Sequence, residues 1–363
     1  MPKVSIIIVT HNSEEIIKDC LNSVYSQEFK DFEVIVVDNN SEDRTKEFIK
    51  ENFPQIKLIE NKKNLGFCKA NNQGIEISQG KYVLTLNSDV ILEKKFLSEL
   101  MKEVENSPSE IGMFSPKILK MDKKTIDSTG IILTRIRRFY NRGDGEIDFG
   151  QYDDKKNIFG PSAACALYKR EMLEKIKTVN IGEPFLNADL RKSNADKHRF
   201  NVDNICDHLR ANLRESALKD IFPAGTKIDI NIRGNSKEIR GEYFDNDFFF
   251  LVEDVDLSWR ANLRGFKGYF IPQARCYHLG NSSKMGKKMR QYLSFRNRYF
   301  MLIKNEKLKD FMKNLGYFLI YDILRFFYLM FTNRFILKAI FEITYHFSRI
   351  FRKRNFCLTA TYR

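Results

Sequence analysis

Two short acidic stretches and one histidine bring together residue types that do chemistry. The first is "LNSDV", residues 86–90, where Asn87-Ser88-Asp89 interrupts an otherwise apolar run. A carboxylate at the mouth of a buried strand is the usual place for a metal or phosphate ligand, although the triplet taken alone also reads as a polar turn. The second is "VEDVDLSWR", residues 252–260, in which Glu253, Asp254 and Asp256 open a predicted helix beside "DFFFL" and Trp259. Carboxylates suit the positive end of a helix dipole, so capping acids are one reading. A carboxylate held against aromatic surface also accepts a proton more readily, which suits a general base. His278, in "CYHLG" after a predicted strand, is the third polar element.

These residues need a scaffold, and the first ~120 residues supply one by alternating strand and helix. The runs "VSIIIVT" (4–10), "FEVIVVD" (32–38), "IKLIE" (56–60) and "KYVLTLN" (81–87) are short, apolar and β-branched. Helical stripes fall between them, with Asn12 and Glu15 read as a capping box. A second helix is expected from Ser41 to about Asn52, and a third near 66–79. Continuous apolar strands alternating with helices predict an α/β fold, a mostly parallel sheet covered on both faces. Ligands bind at the carboxyl ends of such strands. Those ends are Thr10-His11-Asn12, Asp38 to Ser41, Asn61 to Gly66 and Asn87-Ser88-Asp89, with Asn in every one. None carries G-x-G-x-x-G or a P-loop, so a dinucleotide fold is disfavoured. From ~110 to 178 the pattern is mixed and ends in "GPSAACALYKREMLEKI", whose small residues admit a close neighbour.

Of 363 residues, 43% are hydrophobic and 30% charged, the balance of a folded chain. The formal charge is +14. Lys284 to Arg363 hold 18 Lys or Arg against 4 Asp or Glu, so the basicity belongs to the tail. The tail is helical in pattern, and 13 of the 41 residues from Phe311 to Phe351 are aromatic. Asp322 and Arg325 interrupt its most apolar window, which argues against a spanning helix and for one lying at a membrane interface. "RIFRKR" would add attraction to anionic headgroups. A helical pair packed on the protein or on a second copy is the other reading. Charge mixed with Phe and Leu in helices matches no nucleic-acid module, so nucleic acid is not expected as a partner. The six scattered Cys read as buried thiols in a reducing compartment. "MPK" leads directly into the first strand with no signal peptide, so a cytoplasmic location is expected, peripheral on the inner face of the membrane.

Six blocks resemble inverting family 2 glycosyltransferases of GT-A fold, and among them the rhamnosyltransferase-like members. They are "VSIIIVTHNS", "VIVVDNNSEDRT", "NLGFCKANNQGI", "GKYVLTLNSDV", "GPSAACALYKREML" and "FFFLVEDVDLSWRANLRGFKGYFIPQARCYHLG". The resemblance covers roughly 1–177 and 244–300. It implies that Thr10, His11 and Asn12 contact the nucleotide of a nucleotide-diphospho-sugar, with Glu14 near the ribose. Asp38 would meet the base edge with Asn40 beside it, while Asn64, Gly66 and Asn71 line the channel. Asn87 and Asp89 stand where the family holds a divalent cation, Mg or Mn, on the diphosphate; the first Asp of the D-x-D motif is Asn here. His278 matches a position that ligates the metal in some relatives. Asp254 stands at the catalytic base and Glu253 supports it.

The implied organisation is 1–120 for the nucleotide sugar, and 121–177 with 244–285 for acceptor and catalysis. An insertion at 178–243, lid or oligomer contact, and a membrane-associating tail at 286–363 complete it. The implied acceptor is a glycan or lipid-linked glycan in cell-surface polysaccharide synthesis. A catalytically silent relative serving as a scaffold is the alternative. A chain ended near Asn305 is expected to leave the membrane with its sugar site folded.

Overall fold

A computed structural model describes residues 1–178, 241–280, 285–333 and 335–359. The first half runs β1 (Val4–Thr10), α1 (Ile17–Tyr25), β2 (Phe32–Asp38), α2 (Thr45–Asn52), β3 (Lys57–Glu60), α3 (Gly66–Ile77), β4 (Tyr82–Asn87), β5 (Val90–Leu92) and α4 (Phe96–Glu105). Then come β6 (Ile111–Lys120), β7 (Ile126–Ser128), β8 (Ile131–Leu133), β9 (Phe139–Asn141), β10 (Asn157–Ile158), β11 (Cys165–Lys169) and α5 (Arg170–Ile176). After the expected insertion, of which the described residues include only the two ends, follow α6 (Glu253–Leu263), β12 (Lys267–His278), α7 (Lys287–Asn305), α8 (Leu308–Thr332) and α9 (Phe335–Thr359).

The main sheet has the order β10-β12-β6-β11-β4-β1-β2-β3, with β5 on β12 and β7 on β6. Strands β1, β2, β3 and β4 are mutually parallel, and β11 enters antiparallel between β4 and β6. Side chains alternate across a strand. Ile6, Ile8, Val34, Val36, Leu84 and Leu86 therefore pack on one face with α1 and α4, while Ile7, Ile35 and Val83 pack on the other. The register aligns Thr10 with Asp38 and Val9 with Asn87, so three strands end at one level.

Two helix starts differ from expectation. Asn12 has φ +51° and caps no helix; its side-chain oxygen accepts from the Glu42 amide at 2.8 Å. The first turn instead uses the Ser13 carbonyl, and α1 begins at Ile17. Asn40 likewise turns left-handed at φ +69°, and the Ser41 amide donates to Asp38 Oδ1 at 2.9 Å. Helix α2 starts at Thr45, whose amide and hydroxyl both donate to Asp43 Oδ1.

The tail is not a separable appendage. Residues 1–178 and 242–363 form one unit. Phe300, Met301 and Leu302 of α7 and Ile350 of α9 belong to the same apolar cluster as α5 and α6. Buried charge adds to this. Lys304 Nζ lies 2.6 Å from both Asp245 Oδ2 and Asp256 Oδ1, with all three side chains fully buried. Lys353 Nζ lies 2.5 Å from Asp245 Oδ1 and 2.8 Å from Asp247 Oδ2. The sequence showed these lysines as part of a basic tail, and an amphipathic stripe does not distinguish a buried ammonium from an exposed one. A chain ended at Asn305 loses Lys353, so the expectation of an intact site after truncation gives way.

Breaking a buried pair strands a charge and costs about 3–5 kcal/mol. Lys353→Ala is therefore expected to lower unfolding stability by about that amount, measured by urea denaturation. Burial, with the Asp245 charge adding and Lys353 opposing, pushes Glu242 up to about 7 from 4.5. The folded state then holds a proton that the unfolded chain has released, so this contribution is full below about 4.5 and is lost as pH rises to about 7. Glu242→Gln is expected to flatten the stability profile across that window.

Candidate active site

The strand ends bring most of the sequence-predicted residues to one rim. Thr10 and Asp38 are buried neighbours on β1 and β2. The Thr10 hydroxyl and Asp38 Oδ2 have no hydrogen-bond partner among the described residues. Buried polar atoms are nearly always satisfied, so two orphans side by side at a strand end mark a place built for a ligand. His11 and Asn12 are exposed beside them. Glu14 is also exposed, but its carboxylate accepts from the Arg44 amide at 3.2 Å and so braces the loop before α2.

A web of asparagines shapes the next loop. Buried Asn39 donates to Asn64 Oδ1 at 3.0 Å and to the Gly66 carbonyl at 3.2 Å, and its own oxygen accepts from the Leu65 amide. Gly66 has φ +82°, and a Cβ there would sit 2.4 Å from the Phe249 ring, so only glycine fits. Asn71 is buried within α3, with its amide group bonded to the Phe67 carbonyl at 3.0 Å. Its side-chain nitrogen is thus committed to its own helix.

Asp89 and His278 meet although 189 positions apart, because β5 pairs antiparallel with β12 and sets His278 opposite Val90. The Leu279 amide also donates to the Asp89 carbonyl at 3.0 Å. His278 Nε2 lies 3.3 Å from Asp89 Oδ2, and its Nδ1 lies 2.9 Å from Asp127 Oδ2. Burial alone would lower the imidazole's pKa. The hydrogen bonds and charges of Asp127 and Asp89 outweigh it and push the group up to about 10. Asp127 was not singled out in the sequence, where "DSTGIIL" shows only a polar-flanked strand. Among the described residues no three His, Cys, Asp or Glu side chains form a ready-made metal cage. Asp89 and His278 make a pair, with Asp127 placed to fix the ring as second-sphere carboxylates do.

Asp254 approaches the same rim through the turn at 162–165. The Asn87 amide donates to the Ala164 carbonyl at 2.9 Å, and the Ala163 amide donates to Asp254 Oδ2 at 3.2 Å. Small residues permit this: a Cβ on Gly160 would lie 1.9 Å from Ser258 Oγ of α6. Half-buried Asp254 has its pKa raised by burial, against hydrogen bonds from the Ala163 and Val255 amides. Glu253 is buried, and burial together with the Asp254 charge pushes it well up. Its Oε2 has no partner among the described residues. Burial and the neighbouring Asp254 charge thus both disfavour the ionised form of Glu253.

Asp256, grouped with these two by sequence, is different. It binds Arg260 at 2.9 Å, Lys304 and Asn305, and serves structure. The segment leading into α6 is strained, with positive φ at Phe249, Leu251 and Val252. For a β-branched residue this is a true outlier. Asn297 of α7, fully buried, holds it there by donating to the Phe248, Phe250 and Leu251 carbonyls at 2.9, 2.8 and 2.8 Å. Asn72 of α3 pins the segment's start through the Phe244 amide and carbonyl. No sequence signal marked either asparagine.

Residues 5–177 match the sequence model of glycosyl transferase family 2. This segment is a family 2 glycosyl transferase domain. An uncharacterized glycosyltransferase of Methanocaldococcus jannaschii is 35% identical over 119 residues, 31% of this chain and 41% of that protein. The GalNAc(5)-diNAcBac-PP-undecaprenol beta-1,3-glucosyltransferase of Campylobacter jejuni is 31% identical over 115 residues, 31% of this chain and 37% of that protein. The match thus spans well under half of either relative. The fold is GT-A. The mannosyltransferase of Pyrobaculum calidifontis, solved with GDP-Man and Mn2+, aligns over 99% of this chain and 86% of its own, with TM-score 0.50 and 14% identity. TarS of S. aureus aligns over 87% of this chain and 43% of its own, with TM-score 0.50 and 17% identity. Thr10, Asp38 and Asp89 lie within residues 5–177, whereas His278 and Asp254 come from beyond that segment.

Asn297→Leu strands the Phe250 and Leu251 carbonyls, while the Phe248 carbonyl keeps Arg296 and the Phe250 amide as donors. The substitution is expected to cost about 1–3 kcal/mol in urea unfolding, while the conservative Asn297→Gln recovers part of that loss.

Proposed function

We propose that the protein is an inverting glycosyltransferase that moves a sugar from a nucleotide-diphospho-sugar to a hydroxyl of a glycan or lipid-linked glycan. The observation that carries this reading is the common rim. Two orphaned buried oxygens, of Thr10 and Asp38, lie on the same strand-end edge as the Asp89–His278 pair and the raised Asp254 carboxylate. Asp38 Oδ2 is the acceptor for the base, and a carboxylate there suits the N3–H that uracil and thymine share. Thr10, His11, Asn12 and Asn40 border the nucleotide. Asn64 and Gly66 shape the channel, and Asn87 reaches the sugar or diphosphate through its amide. Glu14 and Asn71 contribute by bracing their loop and helix rather than by direct contact.

A divalent cation, Mg or Mn, fits the donor set at Asp89 Oδ2 and His278 Nε2. Such ions are commonly held by one or two protein ligands, with substrate phosphate oxygens and water completing the shell. Bound there, it would neutralise the charge that collects on the departing diphosphate. Asp127 keeps the proton on Nδ1, leaving Nε2 free to ligate once the imidazole is neutral.

The acceptor hydroxyl is a weak acid, so its proton must leave as its oxygen attacks the anomeric carbon. Asp254 takes that proton. Its raised pKa brings it nearer neutrality, where a base is most effective. Glu253, pushed up by burial and by the Asp254 charge, disfavours a second full charge beside Asp254. Attack from the side opposite the leaving diphosphate, with one base and no carboxylate nucleophile, inverts the anomeric configuration. Rhamnose and other hexoses are candidate sugars, in a role in cell-surface polysaccharide synthesis.

The test is a panel of nucleotide sugars screened by thermal shift with and without Mn²⁺, followed by turnover. Asp254→Asn is expected to lower turnover about 10²–10⁴-fold while donor stabilisation persists. Asp38→Ala is expected to abolish donor stabilisation itself. Unchanged turnover in Asp254→Asn would remove it as the base. Binding with no turnover across acceptors would favour a catalytically silent scaffold.

A further inference from the structure

Helix α8 presents a face that the fold of the chain leaves uncovered. Phe318 and Leu329 are buried against the protein, and between them Asp322 and Arg325 turn inward. Asp322 binds Arg298 at 3.0 Å, and Arg298 is itself held by the Arg137 and Ile136 carbonyls of the β8–β9 turn. Arg325 reaches Ser294 Oγ at 3.2 Å and lies over the Phe295 ring. These are the sole charged residues between Asn314 and Thr332. The opposite side is therefore entirely uncharged. It shows Tyr317, Ile320, Leu324, Phe327 and Phe331 at helical spacing, with Ile320, Leu324 and Phe331 exposed to 66%, 67% and 88%. Helix α9 continues the apolar surface with Leu337, Phe341 and Tyr345.

Length and composition would let α8 cross a bilayer: it has 25 residues, with mean hydropathy 1.3 over its most apolar stretch. Its anchoring argues otherwise. The Asp322–Arg298 pair fastens the middle of the helix to the β8–β9 turn, so the globular domain flanks it along one side. A helix so flanked has a single side to offer to lipid.

We infer that the outward face of α8 docks in the plane of an anionic membrane surface, apolar residues among the acyl chains and the surrounding lysines on the headgroups. Lys307, Lys309 and Lys313 are exposed at its start, and Lys338 is exposed on α9. Of the four acids in the tail, Glu306, Asp322 and Glu342 already bind arginines of the protein. The uncompensated charge around the face is thus positive, which complements anionic lipid. A second copy would bring the same excess of like charge into contact, since a two-fold interface pairs a surface with itself.

Sedimentation of the full chain with phosphatidylcholine vesicles, with and without phosphatidylglycerol, tests this. Binding is expected with phosphatidylglycerol, falling as salt rises. Replacing Lys307, Lys309 and Lys313 by Gln should weaken it about a hundredfold at low salt. Ile320→Glu with Leu324→Glu should abolish it with the unfolding midpoint unchanged; if that pair misfolds, the lysine variant alone decides. Depth is read by brominated-lipid quenching in Ile320→Trp and Phe331→Trp, against the single buried native Trp259. Equal shallow depths support docking in the plane. Depths differing by about 16 Å, eleven residues of helix rise, would mean spanning and overturn it. Absence of vesicle binding, or a dimer that Ile320→Glu disperses without any lipid effect, would overturn it as well.

Discussion

Asp245 has no contact with water and carries two ammonium groups, Lys304 from α7 and Lys353 from α9. Their proximity holds its carboxyl well below the usual range, against a strong burial penalty. Removing any one member leaves the others charged in a low-dielectric interior, which is why the arrangement acts as a unit. Lys304 also reaches Asp256, and Asp256 anchors Arg260. Arg260 in turn donates to the Ile176 and Tyr243 carbonyls on either side of the insertion. One buried cluster thus joins the end of the family 2 segment, the start of the segment after the insertion, the first turns of α6 and two tail helices.

That cluster explains how a strained backbone persists at 249–252. Positive φ at three non-glycine residues costs of order 1–3 kcal/mol each. The cost is met by anchors on both flanks: Asp245 before the segment, Asp256 after it, and Asn297 across its carbonyls. The strain aims Asp254 at the turn beside Asn87. A relaxed extended path from Phe248 to Glu253 would carry that carboxylate elsewhere. The tail helices are thus part of what orients the proposed base.

The strands of the first half were legible in the sequence because apolar runs that end abruptly in Asn and Asp locate both the sheet and its edge. Thr10, Asp38 and Asp89 followed from the same break. Helix starts were less legible. Asn12 and Asn40 adopt left-handed turns, a conformation asparagine tolerates but a capping pattern does not reveal. Asp127 and His278 are 151 positions apart and meet through sheet register, which no local pattern encodes. Lys304 and Lys353 look like solvent-facing members of a basic tail until the fold buries them. The pairing of ordinary residues over long separations was the illegible part.

The ring of Phe249 fills the space beside Gly66 that any side chain would need, and the Phe249 carbonyl receives the Phe67 and Cys68 amides at the start of α3. The left-handed turn at Gly66 and the strained segment are therefore braced on each other. A side chain at position 66 would push on the Phe249 ring, and through it on the backbone that leads into α6 and Asp254.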